Sequence, residues 1–319
     1  MARGSWPGFC LVGVGRHARN QLIPAIEANG QALVGLVSRQ EPRDLPVAPL
    51  FKSVEDALNA VPPDAAFLIA SPPRLHLAHC LPALVAGRDA VVEKPAFVSV
   101  GETRTAIDAA ASAGALLVEG FMHRNTRLYA KLLRDWGAQL GQWQAIEIVF
   151  VLPSLPSGTF RQGAEIGASV LYDIGCYALS LLADLAVPLA GLALGRTERA
   201  GTMEELLFIS GRCGGIDVKI EIGVDGRYEN AVTLRSNHTS IRYSPFFSGR
   251  PVERTIVGSA AGVVTRHESF GDVNGFMEML AAPRSRWART QQARNRNMLL
   301  IAAGLEQLGA QLAAARASE

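Results

Sequence analysis

Short apolar runs alternate with amphipathic segments over residues 9–118, and few folds accommodate that order. Residues 9–14, FCLVGV, end in glycines as a buried parallel strand does. Residues 17–29 read as a helix and 32–37 as a second buried strand. Ser53 caps a short helix that carries Glu55 and Asp56 in its first turn. Residues 65–70 are another apolar run, stopped by Ser71-Pro72-Pro73. Residues 75–86 are helical and Gly87 ends them. Residues 90–92 form a strand, Ser99 with Glu102 makes a capping box for a helix to Ala113, and residues 115–118 close the series. Alternation at this spacing predicts an α/β fold with a doubly wound parallel sheet. Ligands of such sheets bind outside the carboxyl ends of the strands.

The first strand–helix junction carries Gly13-Val14-Gly15-Arg16-His17-Ala18, a GxGxxA turn. Gly13 permits the tight turn, Gly15 lets backbone approach a pyrophosphate, and Ala18 keeps the helix close to the sheet. The turn, with Arg16 and His17, is therefore expected to hold the diphosphate of a dinucleotide. The second strand ends in Val37-Ser38-Arg39, without the acid that usually takes the ribose 2′-hydroxyl of NAD. Ser38 can donate to a 2′-phosphate, and Arg39 can pair with its charge and stack on adenine. The expected cofactor is NADP, with NAD disfavoured.

The chain's 319 residues are many for one core and suit two domains. A hydrophobic share of 49% excludes a disordered chain. A net charge of +2 without blocks of like charge argues against a nucleic-acid partner. Cys10, Cys80, Cys176 and Cys213 are scattered, so buried thiols are expected rather than disulfides or a metal site. No apolar run reaches the roughly 20 residues of a membrane span, and no signal peptide is visible. A cytoplasmic protein without membrane partners is expected.

Three further segments carry a family resemblance. Ser71-Pro72-Pro73, His76, Gly87 and Glu93-Lys94-Pro95 resemble the cofactor-domain signature of the glucose–fructose oxidoreductase/inositol dehydrogenase family. Glu119-Gly120-Phe121-Met122-His123-Arg124 resembles its passage from first to second domain. Phe160-Arg161, Gly167 and Leu171-Tyr172-Asp173-Ile174-Gly175-Cys176-Tyr177 resemble its catalytic helix, most closely in the branch of dimeric dihydrodiol dehydrogenase. The resemblance implies a Rossmann domain, residues 1–121, and a second α/β domain, residues 122–319, with a large, mostly antiparallel open sheet. It implies hydride transfer at an oxygen-bearing carbon, often of a sugar or cyclic alcohol. It places the Lys94–Pro95 region beside the nicotinamide, often with a cis bond. Ser71, Pro72, His76, Glu93, Lys94 and Arg161 join the expected cofactor residues. Two departures stand out: Gly167-Ala168-Ser169 replaces a run that is mostly glycine, and Tyr177 stands where a histidine is common.

Lys94, Asp173 and Tyr177 are the expected catalytic residues. A free tyrosine titrates near pKa ~10, and a lysine ammonium beside it stabilises the tyrosinate. Tyr177 is assigned the proton, Lys94 the substrate oxygen and the tuning of Tyr177, and Asp173 the orientation of substrate or Lys94. Asp173 and Tyr177 stand four apart, on one helical face, and periodicity alone would give their polar stripe with Ser180 and Asp184 to solvent. Arg124 and Arg161 could touch cofactor or a polar substrate. His123 and His238 are read as structural or exposed.

Beyond residue 145, segments 145–151, 206–210, 216–222, 231–235 and 240–243 read as strands of an antiparallel sheet with helices on one side. Its open face is a ready surface for a homodimer or higher oligomer. Residues 291–313 read as a closing helix and 314–319 as a frayed tail. The predicted activity is NADP-dependent reduction or oxidation of a sugar, sugar nucleotide or cyclic polyol. The alternatives are reduction of an imine or enone, and a dinucleotide sensor without turnover. An intact Lys–Asp–Tyr set favours carbonyl chemistry, and Ser38-Arg39 argues against an NAD-dependent glycosidase.

Overall fold

The computed structural model describes residues 4–39, 48–154, 169–200, 204–248, 268, 270 and 274–318. The chain forms two units, Met1–Phe121 with Phe276–Ala302, and Met122–Gly275 with Ala303–Glu319.

The first unit is built on β1 (Gly8–Val12), β2 (Ala32–Val37), β3 (Leu50–Phe51), β4 (Ala66–Ile69), β5 (Ala90–Glu93) and β6 (Leu117–Gly120). These lie in the order β3-β2-β1-β4-β5-β6, and every neighbouring pair is parallel. The order turns back at β1, which creates the switch point where open α/β sheets bind ligands. The helices α1 (Ile23–Ala28), α2 (Val54–Leu58), α3 (His76–Val85) and α4 (Val100–Ala113) connect the strands. Every residue of β1, β4, β5 and β6 is buried, which is why these strands read as apolar runs, interrupted only by Glu93 and Glu119 towards the carboxyl ends of β5 and β6. Phe67, Ile69, Val92 and Leu117 form the core with Ala83, Leu84, Ala106 and Ala110 from the helices. Local chemistry fixes the helix ends. Ser53 accepts from the Asp56 amide and Ser99 from the Glu102 amide, while Glu102 reaches back to Val98 N. Burial pushes the Cys10 and Cys80 thiols up to about 12, so both are inert at neutral pH.

The expected helix over residues 17–29 opens differently. Ala18–Leu22 is a π-helical turn that passes into α1. Such wide turns are rare and concentrate at functional sites.

The second unit contains α5 (Arg127–Ala138), β7 (Ala145–Leu152), α6 (Cys176–Asp184), β8 (Ala193–Ala200), β9 (Glu204–Cys213), β10 (Ile216–Val224), β11 (Glu229–Arg235) and β12 (Ser240–Tyr243). Its sheet runs β12-β11-β7-β10-β9-β8. β7 and β10 are parallel and the other pairs antiparallel. On β10, Val218, Ile220 and Ile222 are buried while Asp217 and Lys219 are exposed, so one face meets the core and one meets water. Exposed ion pairs join neighbouring strands, Arg235–Glu147 at 2.9 Å and Arg212–Asp217 at 2.8 Å. Each such pair contributes at most about 1 kcal/mol, so the packed face holds the sheet. A second π-helical turn, Leu171–Gly175, leads into α6. It presses on β10, where a Cβ on Gly175 would stand 2.9 Å from Ile222 Cδ1.

The chain then returns to the first unit through α7 (Gly275–Ala281) and the start of α8 (Arg284–Ala317). This corrects the expectation that residues 122–319 form one domain. Asp89 accepts from Trp6 Nε1 at 2.8 Å, Leu116 N at 2.9 Å and Arg284 Nε at 2.7 Å. Gln31 donates to Leu280 O and Gln291 to Leu117 O, both at 3.0 Å. These bonds fasten the returning segment to strands and loops of residues 1–121. The later turns of α8 pack on the second unit through Gly304 against Leu179, and Gln307 donates to Leu192 O. Helix continues to Ala317, so residues 314–317 are not the frayed tail expected from composition. Among the described residues, α8 alone is long and apolar enough to cross a membrane by length and composition, which also corrects the expectation of no such stretch. Its buried positions Ile301, Leu305, Leu308 and Leu312 recur at helical spacing, and Glu306 is exposed. That pattern is one of a helix laid on a protein core.

Candidate active site

In the first unit the glycine turn leaves β1 beside the end of β4. Gly13 has φ +90° and its amide donates to Val37 O at 3.0 Å. A Cβ there would stand 2.6 Å from Ser71 N, so only glycine fits. Gly15 shows the complementary property. A Cβ built on it meets no described atom within 4 Å, which leaves backbone open to a ligand. Arg16 and His17 are exposed next to it. This arrangement fits a dinucleotide diphosphate: an open glycine and exposed cationic and imidazole groups at the carboxyl end of β1.

Three side chains, His76, Glu93 and Glu119, converge on the loop after β5. The Lys94–Pro95 peptide is cis, and Lys94 is the one residue of 91–97 that is not buried. Glu93 Oε2 accepts from Lys94 N at 3.3 Å, and Glu119 Oε1 accepts from Ala96 N at 3.0 Å. His76 Nδ1 lies 3.1 Å from Pro95 O and 3.0 Å from Ala96 O, and its Nε2 lies 2.7 Å from Ser71 O. His76 is fully buried. The expected direct contact of His76 with cofactor is therefore corrected. Its ring clamps the Lys94 loop to the Ser71 loop, and both its nitrogens face protein carbonyls. Burial lowers the His76 pKa, against the pull of the Ser71, Ala96 and Pro95 carbonyls and the Glu93 charge towards the protonated ring.

Glu93 Oε1 lies 3.2 Å from His17 Nε2. Burial alone would raise the Glu93 carboxyl, but His17, through charge and hydrogen bonding, with Lys94 and His76, outweighs it and holds the group below the usual carboxylate range. A carboxyl with a depressed folded pKa contributes stability above its unfolded pKa, and that contribution is lost as pH falls through the folded value. Thermal melting of the wild type should therefore soften below about pH 4, and Glu93→Gln should flatten part of that acid limb. Equal acid sensitivity in the variant would refute this role.

Ser38 and Arg39 follow β2. The Ser38 amide donates to Phe51 O at 3.1 Å, and Arg39 is exposed. Ser71 and Pro72 are partly exposed at the end of β4. His79, which no sequence motif singles out, lies 2.9 Å through Nδ1 from Ser71 Oγ. Glu119, matched in the sequence only as part of a longer segment, likewise gains an individual role from the structure.

In the second unit three members of the polar stripe, Asp173, Tyr177 and Ser180, are buried, not solvated. Asp173 is 7% exposed, Tyr177 5% and Ser180 0%. Asp173 lies in the π-helical turn, its amide bonded to Ser169 O at 3.0 Å, and Tyr177 is in the first turn of α6. The Tyr177 ring packs on His123 at 5.2 Å, Phe150 at 5.3 Å and Phe247 at 5.6 Å, and its hydroxyl lies 3.5 Å from Met122 Sδ. Asn230 Oδ1 accepts from Phe246 N and Phe247 N, which fixes this aromatic wall. His123 is fully buried, in keeping with a structural role, and His238 is exposed. Arg124 grips Asp184 through Nε at 2.7 Å and a second nitrogen at 3.1 Å, and Tyr129 donates to the same carboxylate. Burial and the Asp184 charge raise the Tyr129 pKa well above the usual value, keeping it a neutral donor. Phe160, Arg161, Gly167 and Ala168 lie outside the described residues.

Residues 8–121 match the model of the GFO/IDH/MocA oxidoreductase family, which has an NAD-binding Rossmann fold. A dTDP-3,4-didehydro-2,6-dideoxy-alpha-D-glucose 3-reductase of Streptomyces antibioticus is 26% identical over 255 residues, 75% of this chain and 76% of the relative. A galactose 1-dehydrogenase of Pseudomonas fluorescens is 36% identical over 93 residues, 29% of this chain and 30% of the relative. Among solved structures, KijD10, a 3-ketoreductase from Actinomadura kijaniata in complex with NADP and TDP-benzene, superposes with a TM-score of 0.78 at 18% identity. The superposition covers 95% of this chain and 97% of that one. At that identity the likeness is one of fold. The chain is an NAD(P)-dependent oxidoreductase, with the glycine turn and the Lys94 loop at the carboxyl ends of its parallel strands.

Proposed function

We propose that this oxidoreductase transfers a hydride between NADP and a carbonyl or alcohol carbon of a sugar, sugar nucleotide or cyclic polyol. The observation that carries the reading is the Lys94 loop. His76, Glu93 and Glu119 pin its backbone, and Lys94 alone within it keeps contact with solvent. A lysine fixed in this way, beside a switch point, suits an electrophilic contact to a substrate oxygen. The sugar class is supported by the reductases and dehydrogenases to which the chain is similar.

When bound, NADP supplies or accepts the hydride, so the protein must handle the proton. Tyr177 is assigned that proton at its hydroxyl, Lys94 the polarisation of the substrate oxygen, and Asp173 the orientation of substrate or Lys94. Gly13, Gly15, Arg16 and His17 are assigned the diphosphate, and Ser38 and Arg39 the ribose 2′-phosphate. Titration of the purified chain with NADPH and NADH, followed by intrinsic fluorescence, tests the cofactor assignment. Tighter binding of NADPH is expected, while preference for NADH would overturn it.

A further inference from the structure

His79 stands outside the family signature and outside every role assigned above, yet it lies at the mouth of the cofactor crevice. Val12 at the end of β1 pairs with Val37 on one side and Ile69 on the other. The segments that follow, Ser38-Arg39 after β2 and Ala70-Ser71 after β4, therefore leave the sheet at one level on either side of the glycine turn. Ser71 Oγ holds His79 Nδ1 at 2.9 Å, and His79 occupies the first turn of α3. This bond fixes the imidazole over the same end of the sheet that carries Arg39.

We propose that His79 is a further specificity-determining residue of the cofactor site, completing with Ser38 and Arg39 a recognition group for the ribose 2′-phosphate of NADP. The inference rests on the proposed NADP reading and extends it to a residue on a different strand connection. With Nδ1 engaged by Ser71, Nε2 is the ring's second polar atom and can donate to a phosphate oxygen.

The electrostatics agree with this placement. Burial lowers the His79 pKa, and the positive charge of Arg39 lowers it further, against the opposing pull of Glu55 at the start of α2. The charged groups acting on the ring are therefore Arg39 from the β2 end and Glu55 from α2. From α4, Glu102 acts on Cys80 of the same helix. A phosphate between Arg39 and His79 screens their mutual repulsion and favours the imidazolium. Binding of NADPH should then take up a proton at His79, whereas binding of NADH should not. By linkage, the preference for NADPH over NADH grows as pH falls towards about 6, where the phosphate itself begins to protonate.

The test is calorimetric titration of wild type and His79→Gln with NADPH and NADH, in two buffers of different ionisation heat. The expected result is proton uptake with NADPH alone, and in His79→Gln about tenfold weaker NADPH binding, loss of the uptake and unchanged NADH binding. Equal weakening of both cofactors would make His79 a prop for the Ser71 loop and overturn the inference. Unchanged NADPH binding in the variant would overturn it and leave the NADP reading standing. If the wild type shows no preference for NADPH, the NADP reading fails and this inference fails with it. Arg39→Ala, which leaves α3 untouched, separates the two failures: it should weaken NADPH alone wherever the 2′-phosphate site exists.

Discussion

Tyr177→Phe and Lys94→Met should each lower turnover by about a hundred- to ten-thousand-fold, with NADPH binding nearly intact. The size follows from the assigned chemistry. Losing the proton-handling hydroxyl, or the cation that polarises the reacting oxygen, removes a contribution made in the transition state. The packing around Tyr177 makes the first variant a clean test. Phe150, Phe247 and His123 pack on the ring, which phenylalanine keeps. Phenylalanine gives up the hydroxyl's approach to Met122 Sδ, a weak acceptor. Melting temperature should therefore change little, and a fall in activity cannot be laid to unfolding. Lys94 is the partly exposed member of its loop, and the loop is held through backbone atoms and through Glu93, Glu119 and His76. Its side chain can be replaced without untying the clamp. Near-normal turnover in either variant would remove that residue from the mechanism.

Gly13→Ala and Gly15→Ala should separate folding from cofactor binding within one short turn. At Gly13 the backbone is left-handed, with φ +90°, and the new Cβ would stand 2.6 Å from Ser71 N and 2.8 Å from Ser71 Cα. Both are backbone atoms of the strand connection and cannot rotate away. Strain and overpacking together should cost about 3 kcal/mol or more. At Gly15 the added Cβ meets no described atom within 4 Å. Its stability should stay within about 0.5 kcal/mol of wild type, the usual range for surface changes. The methyl group does, however, enter the room assigned to the diphosphate, so NADPH binding should weaken by about tenfold or more. Chemical denaturation and cofactor titration of the two variants give the comparison. A stable Gly13→Ala variant, or a Gly15→Ala variant with wild-type affinity, would contradict the account of the turn.

How much of this is legible in the sequence depends on what each segment packs against. The parallel strands are readable because helices cover both their faces, so Phe67–Ile69 and Ala90–Val92 are apolar at every position. β3 is only two residues long, and β8, ALGRTERA, has no apolar alternation, so neither carries a period. The π-helical turn at Leu171–Gly175 depends on the approach of Gly175 to Ile222, nearly fifty residues away in sequence, and local propensity cannot encode that approach. The stripe of Asp173, Tyr177 and Ser180 is ambiguous for a similar reason. Periodicity separates polar from apolar faces but does not say whether the polar face meets water or buried partners such as His123. The return of residues 276–302 to the first unit rests on Asp89, Gln31 and Gln291, whose partners lie far along the chain. In the candidate site, the glycine turn and the Lys94 segment are readable because their backbone geometry demands glycine and proline at fixed places. Glu119 and His79 act through side-chain bonds to loops outside their own elements, which leave no spacing to detect.

The central claim is hydride transfer to a sugar-type carbonyl from reduced NADP, and its most direct test is turnover itself. Purified chain is mixed with NADPH and a panel of keto sugars, sugar nucleotides and cyclic ketones, and the absorbance of the reduced nicotinamide is followed. The account predicts a fall of that absorbance with at least one compound, matched mole for mole by the alcohol formed and all but abolished in Tyr177→Phe. Tight NADPH binding with no oxidation by any carbonyl, or oxidation only by an imine or enone, would contradict it.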